Sequence, residues 1–246
     1  MKINLSILAP VLIVLFIALI VLVSSCKGFG KKGNGHITTS EREISPFTKI
    51  SIEGIFPVEL SQDGGKEFVK IETDENLQDL IVAKTEDGQL KVFMKEKSSI
   101  RHYNKMKVYI NIKDLQELKS SSVGNVTTVG TLKLDSLILN SLSVGKLELN
   151  IDANYLHADL QSVGSTILKG TTHEARINNK SVGALSAFDL KAGTLMIHNQ
   201  AVGSTEIYAD SAFYIRSSAI GVLYYKGPGE VKELTSEGIG KVQKKE

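Results

Sequence analysis

Downstream of residue 118 the apolar positions alternate with polar ones in short runs, and the runs themselves return about every 20 residues. Seven glycines mark the recurrence: Gly124, Gly145, Gly164, Gly183, Gly203, Gly221 and Gly240, separated by 21, 19, 19, 20, 18 and 19 residues. Two residues after each glycine, and four after each of the first six, come apolar or β-branched residues, as in Leu147 and Leu149 or Thr205 and Ile207. That period of two predicts a short strand with one face inward. A second strand is predicted before each glycine, at Leu137-Ile138-Leu139, Leu156-His157-Ala158, Ala175-Arg176-Ile177 and Met196-Ile197-His198. Between the two strands the backbone must turn or lie close to the next coil, where a β-carbon would be costly. The residue before the glycine is Val or Ile in every repeat, and its hydrophobicity predicts one branched aliphatic per coil in an interior column. Asp135, Asp152, Asp189 and Asp210 fall at the opposite end of the coil, where turn chemistry suits them.

A fixed period near 20 with two or three short strands per turn is the signature of a parallel β-solenoid. Coils about 4.8 Å apart give the seven repeats of residues 119–242 a length of roughly 30 Å. Residues 45–118 are less regular. Alternation at residues 47–60, 68–73, 90–94 and 106–112 predicts strands, and Thr73-Asp74-Glu75 predicts a helix cap leading into a short helical turn. This portion reads as the atypical first part of the same stack, with a separate small β domain as the alternative.

The N-terminus adds a compartment. Residues 5–23 are an uncharged, largely apolar run of 19 residues, about 28 Å long as a helix, roughly the thickness of a bilayer core. The run ends in Val23-Ser24-Ser25-Cys26, and Cys26 is the sole cysteine. Small residues before a single cysteine resemble a bacterial lipobox, in which residues 1–25 are removed and Cys26 is lipidated; the alternative is a retained membrane helix. Either way a membrane is the expected partner of this end. The glycines between residues 26 and 44 predict a flexible tether.

Phe47-x-x-Ile50-x-Ile52-x-Gly54, Asp74-Glu75-Asn76-Leu77, Gly88-x-Leu90-x-Val92, Met106-Lys107-Val108 and Leu118-x-Ser120 form an ordered set. With the ending Tyr225-Lys226-Gly227-x-Gly229-x-Val231 and Gly238-Ile239-Gly240, it resembles the auto-transporter adhesin head GIN domain family, typical of Bacteroidetes envelope proteins. The resemblance covers about residues 45–242. It implies an all-β, right-handed parallel β-solenoid on a periplasmic or surface-exposed protein, with no catalytic residues and no cofactor. Most members carry Gly or Ala where this chain has the Val of Ser-Val-Gly, which implies a tighter aliphatic column here.

Candidate chemistry narrows the picture further. The 29 basic and 27 acidic residues nearly balance, so no nucleic-acid surface is expected. Measured to the following glycine, His157, His173 and His198 lie seven, ten and five residues away, different phases that do not form a metal-binding column. The serines Ser122, Ser143, Ser162 and Ser181 have no histidine in register to activate them. Glu148 and Glu206 share a phase but stand three coils apart, about 14 Å, too far for glycoside cleavage. Phe188 and Tyr208, with Tyr224 and Tyr225 nearby, form either an outward aromatic strip or half-buried plugs. The expected function is a non-enzymatic, membrane-tethered adhesin or interaction module of the cell envelope, binding a surface glycan or a protein. A periplasmic envelope-stress or scaffold protein is the second reading, and a carbohydrate-active enzyme on a β-helix the third.

Overall fold

The computed structural model describes residues 30–96 and 98–246. Strands β1 (Lys31–Lys32), β2 (Ile37–Arg42), β3 (Lys49–Gly54), β4 (Val58–Ser61) and β5 (Phe68–Asp74) precede a 3-10 helix, Glu75–Leu80. Then follow β6 (Ile81–Glu86), β7 (Gln89–Met94), β8 (Ile100–His102), β9 (Met106–Asn111), β10 (Glu117–Ser122) and β11 (Val126–Val129). The regular coils comprise β12 (Leu132–Ser141), β13 (Leu147–Leu160), β14 (Thr166–Asn179), β15 (Leu185–Asn199) and β16 (Thr205–Ser217). The stack closes with β17 (Val222–Lys226), β18 (Glu230–Ser236) and β19 (Lys241–Lys244).

The chain is a β-solenoid of about seven turns with about 19 residues per turn. Its register reproduces the glycine spacing. Leu118 pairs with Leu139, then Ala158, Ile177, Ile197, Ile215 and Leu234 in parallel, steps of 21, 19, 19, 20, 18 and 19 residues. The two strands expected per coil are joined into one bent strand in the regular part, so that β13 runs 14 residues without a break. Its first half lies in a sheet after the glycines and its second half in a sheet before them.

The N-terminal portion continues both sheets. β3 pairs in parallel with β10 on one side and β7 on the other, and β4 does the same with β11 and β9. From β4 the chain descends to build an end layer and returns at β10. In that layer β5 runs antiparallel to β9 and to β2, and β6 antiparallel to β7. Buried aliphatic and aromatic side chains form one core from Phe47 to Leu223.

Three expectations are corrected. First, Val123, Val144, Val163, Val182, Val202 and Ile220 point outward and are 45–60% exposed, while the buried position beside each is Ser122, Ser143, Ser162, Ser181, Ala201 or Ala219. Small residues fit under the turn, and their hydroxyls are satisfied along the stack, as in Ser120 to Ser143 and Ser141 to Ser162, each 2.8 Å. Second, the tether expected over residues 26–44 is ordered from its middle onward: β1 pairs with β8 and β2 with β5. Third, Asp74 does precede the helical turn but makes no capping bond. Its carboxylate is fully buried and accepts the Gly35 N–H (2.7 Å), the Asn104 N–H (2.8 Å) and the Asn104 Nδ2 (2.8 Å). Asp74 therefore fastens residues 33–36 to the loop before β9. Cys26 and the apolar run of residues 5–23 lie outside the described residues.

Candidate functional site

The seven turn glycines hold the stack at its closest approach. A β-carbon at Gly145, Gly164, Gly183, Gly203, Gly221 or Gly240 would stand 2.0–2.5 Å from a carbonyl oxygen of the coil before it. At Gly124 the same atom would meet Phe56 O at 2.1 Å. These positions are structural and offer no reactive group.

Outward side chains of the sheet before the glycines fall into columns, because parallel strands in register stack like on like. One column reads Ile138, His157, Arg176, Met196 and Tyr214, and its neighbour Asn140, Asp159, Asn178, His198 and Arg216. Together they line a shallow basin. Its main part, about 460 Å³, is walled by His157, Arg176, Met196, His198, Tyr214 and Arg216. Two smaller depressions adjoin it through His198, one toward Lys180 and Gln161, the other toward Thr235 and Glu237.

Each arginine of the basin is paired with a glutamate. Arg176 Nε donates to Glu174 Oε1 (2.7 Å) and Arg216 Nε to Glu233 Oε1 (2.6 Å). Asp159 takes Asn178 Nδ2 (2.7 Å) and lies 3.2 Å from His157 Nε2. Each guanidinium is thus held through Nε by one glutamate. Met196 and Tyr214 supply an apolar floor between them. The arrangement can hydrogen-bond and stack, but it isolates no acid or nucleophile for chemistry.

The sequence-selected candidates lie elsewhere. Glu148 is gripped by Lys146 (2.7 Å) and Lys169 (2.6 Å), and those two bonds push its carboxyl down to about 2. A carboxyl so acidic carries no proton to donate near neutral pH. Phe188 and Tyr208 face outward but are half-buried, each under a lysine: Lys191 Nζ is 3.6 Å from the Tyr208 ring centre and Lys245 Nζ 5.2 Å from that of Phe188. Tyr225 turns inward, edge-on to Phe213 at 5.3 Å. Among the described residues no cluster of three His, Cys, Asp or Glu side chains could hold a metal ion. No helix among them is long and apolar enough to cross a membrane.

Sequence reading found the histidines but missed the basin. His157 and His198 lie at odd distances before their glycines, which puts both on the same outer face, in adjacent columns.

Comparison with known proteins agrees with the fold. A family model described as "Putative auto-transporter adhesin, head GIN domain" matches residues 46–229. A solved structure of a putative adhesin from Bacteroides fragilis is 25% identical, with a TM-score of 0.82 over 87% of this chain and 100% of its own. A putative lipid binding protein from Parabacteroides distasonis is 24% identical, with a TM-score of 0.69 over 87% of this chain and 99% of its own. A putative adhesin from the same organism is 22% identical, with a TM-score of 0.65 over 87% and 98%. The last two are similar in fold alone. No curated protein matches the chain.

Proposed function

We propose that this chain, which belongs to the auto-transporter adhesin head GIN domain family, is a non-enzymatic, membrane-tethered interaction rod of the cell envelope that binds a surface glycan in the basin around His198. An adhesin-like role follows from the family and from the adhesin-named structural neighbours. The basin is what carries the ligand class. Its two arginines are each matched by a glutamate, which leaves it no strong positive field to draw in an anion. Its free capacity is a ring of planar donors and acceptors around Met196 and Tyr214, which suits hydroxyl groups on a weakly apolar ring face. The membrane anchor is a lipidated Cys26 or, if it is retained, the apolar run of residues 5–23.

The test is a panel of neutral and acidic glycans presented to the full-length protein in detergent, alongside Tyr214→Ala and Arg216→Ala. Retention of a neutral glycan, lost in both variants, supports the reading. Binding untouched by either variant would move the ligand off this basin. Intact mass and membrane fractionation with Cys26→Ser distinguish a lipidated Cys26 from a retained helix. Protease added to intact cells separates a surface adhesin, which is clipped, from a periplasmic scaffold, which is spared.

A further inference from the structure

The outward column of Val123, Val144, Val163, Val182, Val202 and Ile220 forms a straight aliphatic ridge along the corner between the two sheets, with Ile239 continuing it. The ridge is rigid, because its backbone amides bond to the coil before: Val144 N to Ser122 O (3.0 Å), Val163 N to Ser143 O (2.9 Å), Val182 N to Ser162 O (2.8 Å) and Val202 N to Ser181 O (2.9 Å). The side chains are branched at Cβ, so little rotamer freedom remains to be lost on contact. Leu142, 58% exposed, broadens it.

Charge along this corner is mainly basic, with Lys146 held by Glu148 at 2.7 Å and Lys180 in no ion pair among the described residues. Two residues before and two after each ridge position, the charged residues are Lys146, Lys180, Lys241 and Glu237. The single carboxylate, Glu237, lies in the last coil. A typical soluble surface mixes both signs throughout. An apolar strip of this length flanked by lysines marks a contact surface.

We infer that the ridge is a membrane-contact edge, seating the rod lengthwise on a bilayer surface that carries anionic phospholipid. This rests on the tethered reading above, which places the rod at a bilayer. Lysines beside an apolar edge suit anionic headgroups. A convex ridge one side chain wide meets a flat, fluid surface along its whole length. Against a second copy it would touch ridge to ridge, far short of the roughly 1,200 Å² that a stable interface buries.

Residues 30–246 hold the complete core from Phe47 to Leu223, so the head can be tested without its anchor. It should co-sediment with vesicles of phosphatidylcholine plus phosphatidylserine, and less with phosphatidylcholine alone. Replacing Val144, Val163, Val182 and Val202 together by threonine keeps β-branching and strand preference while removing apolar surface. Binding should fall about tenfold or more with an unchanged melting curve, and Lys180→Gln should weaken binding to the anionic vesicles selectively. The inference is overturned by a head that ignores both vesicles, by threonine variants that bind as well as the parent, or by ridge-dependent dimers in sedimentation without lipid. If the full-length chain partitions into membranes and the head binds no vesicle, the tether stands and the edge falls. If the full-length chain fails to partition, the tethered reading itself fails.

Discussion

Gly203 lies so close over Gly183 that a β-carbon on it would stand 2.2 Å from the Gly183 carbonyl oxygen. The backbone there also sits at φ +137°, a conformation that L side chains rarely adopt. Gly203→Ala therefore forces the coils apart and strains the turn, and should cost about 2–4 kcal/mol in urea unfolding. Gly130 is the control. Its φ of +72° is left-handed but no atom lies within 4 Å of the missing β-carbon. Gly130→Asn should cost less than about 1 kcal/mol, because Asn tolerates that region. Equal effects at the two sites would mean that close approach is not what fixes glycine in the repeat.

Asp74 gives the N-terminal layer an acid-sensitive fastening. Burial raises its pKa, but bonds from the Asn104 side chain and from the Asn104, Gly35 and Lys105 backbone outweigh it, leaving it at about 2 against an ordinary 3.8. A carboxyl depressed on folding stabilises fully above its unfolded pKa, and the contribution is lost as pH falls through the folded value. Between about pH 4 and pH 2 the layer should lose up to about 2 kcal/mol. Hydrogen exchange at Gly35 and Asn104 should accelerate over that window in the parent. Asp74→Asn should exchange fast already at pH 7 and show no such step; an acid step surviving in the variant would assign it to another group.

How much of this was legible in the sequence depends on parity. The alternation puts Leu147 and Leu149 inward, and counting back by two puts Gly145 and Ser143 on the inner side and Val144 outside. Hydrophobicity points the other way, and followed in place of the alternation it puts the ridge in the core. The physical reason is that the valines stand at the corner between two strands, where hydrogen bonds to the coil before set the side-chain direction whatever its hydrophobicity. β2 was missed for a different reason. Ile37-Thr38-Thr39-Ser40 has no apolar face, and the strand is held by its antiparallel pairing to β5. The basin needs the register. His157, Arg176, Met196 and Tyr214 are distant in sequence and become one column only through steps of 19, 20 and 18 residues.

The buried serines are expected to be replaceable. Ser143 Oγ bonds Ser120 Oγ at 2.8 Å, but Ser120 has a second neighbour in Ser122 Oγ at 3.3 Å. The same inward place holds Ala201 and Ala219 two and three coils beyond Ser162. Ser143→Ala should thus cost no more than about 1 kcal/mol and leave glycan retention unchanged. A larger loss of retention than of stability would give the hydroxyl column a functional role.

Further along the same inner seam the polar groups become interdependent. Asn179 Nδ2 donates to Asn199 Oδ1 (3.0 Å) and to Thr205 Oγ1 (3.2 Å), and Thr205 Oγ1 donates to Asn199 Oδ1 (3.1 Å). All three residues are buried, so a partner removed leaves a polar group that water cannot reach. Asn199→Ala strips the shared acceptor from both donors and should cost about 2–3 kcal/mol. Once Asn199 is gone, the Asn179 amide has less to lose, so Asn179→Ala should cost at least about 1 kcal/mol less in that background than in the parent. Urea unfolding of the two single variants and the double variant closes the cycle. Strict additivity would mean that each amide is satisfied independently and that the seam is not a network.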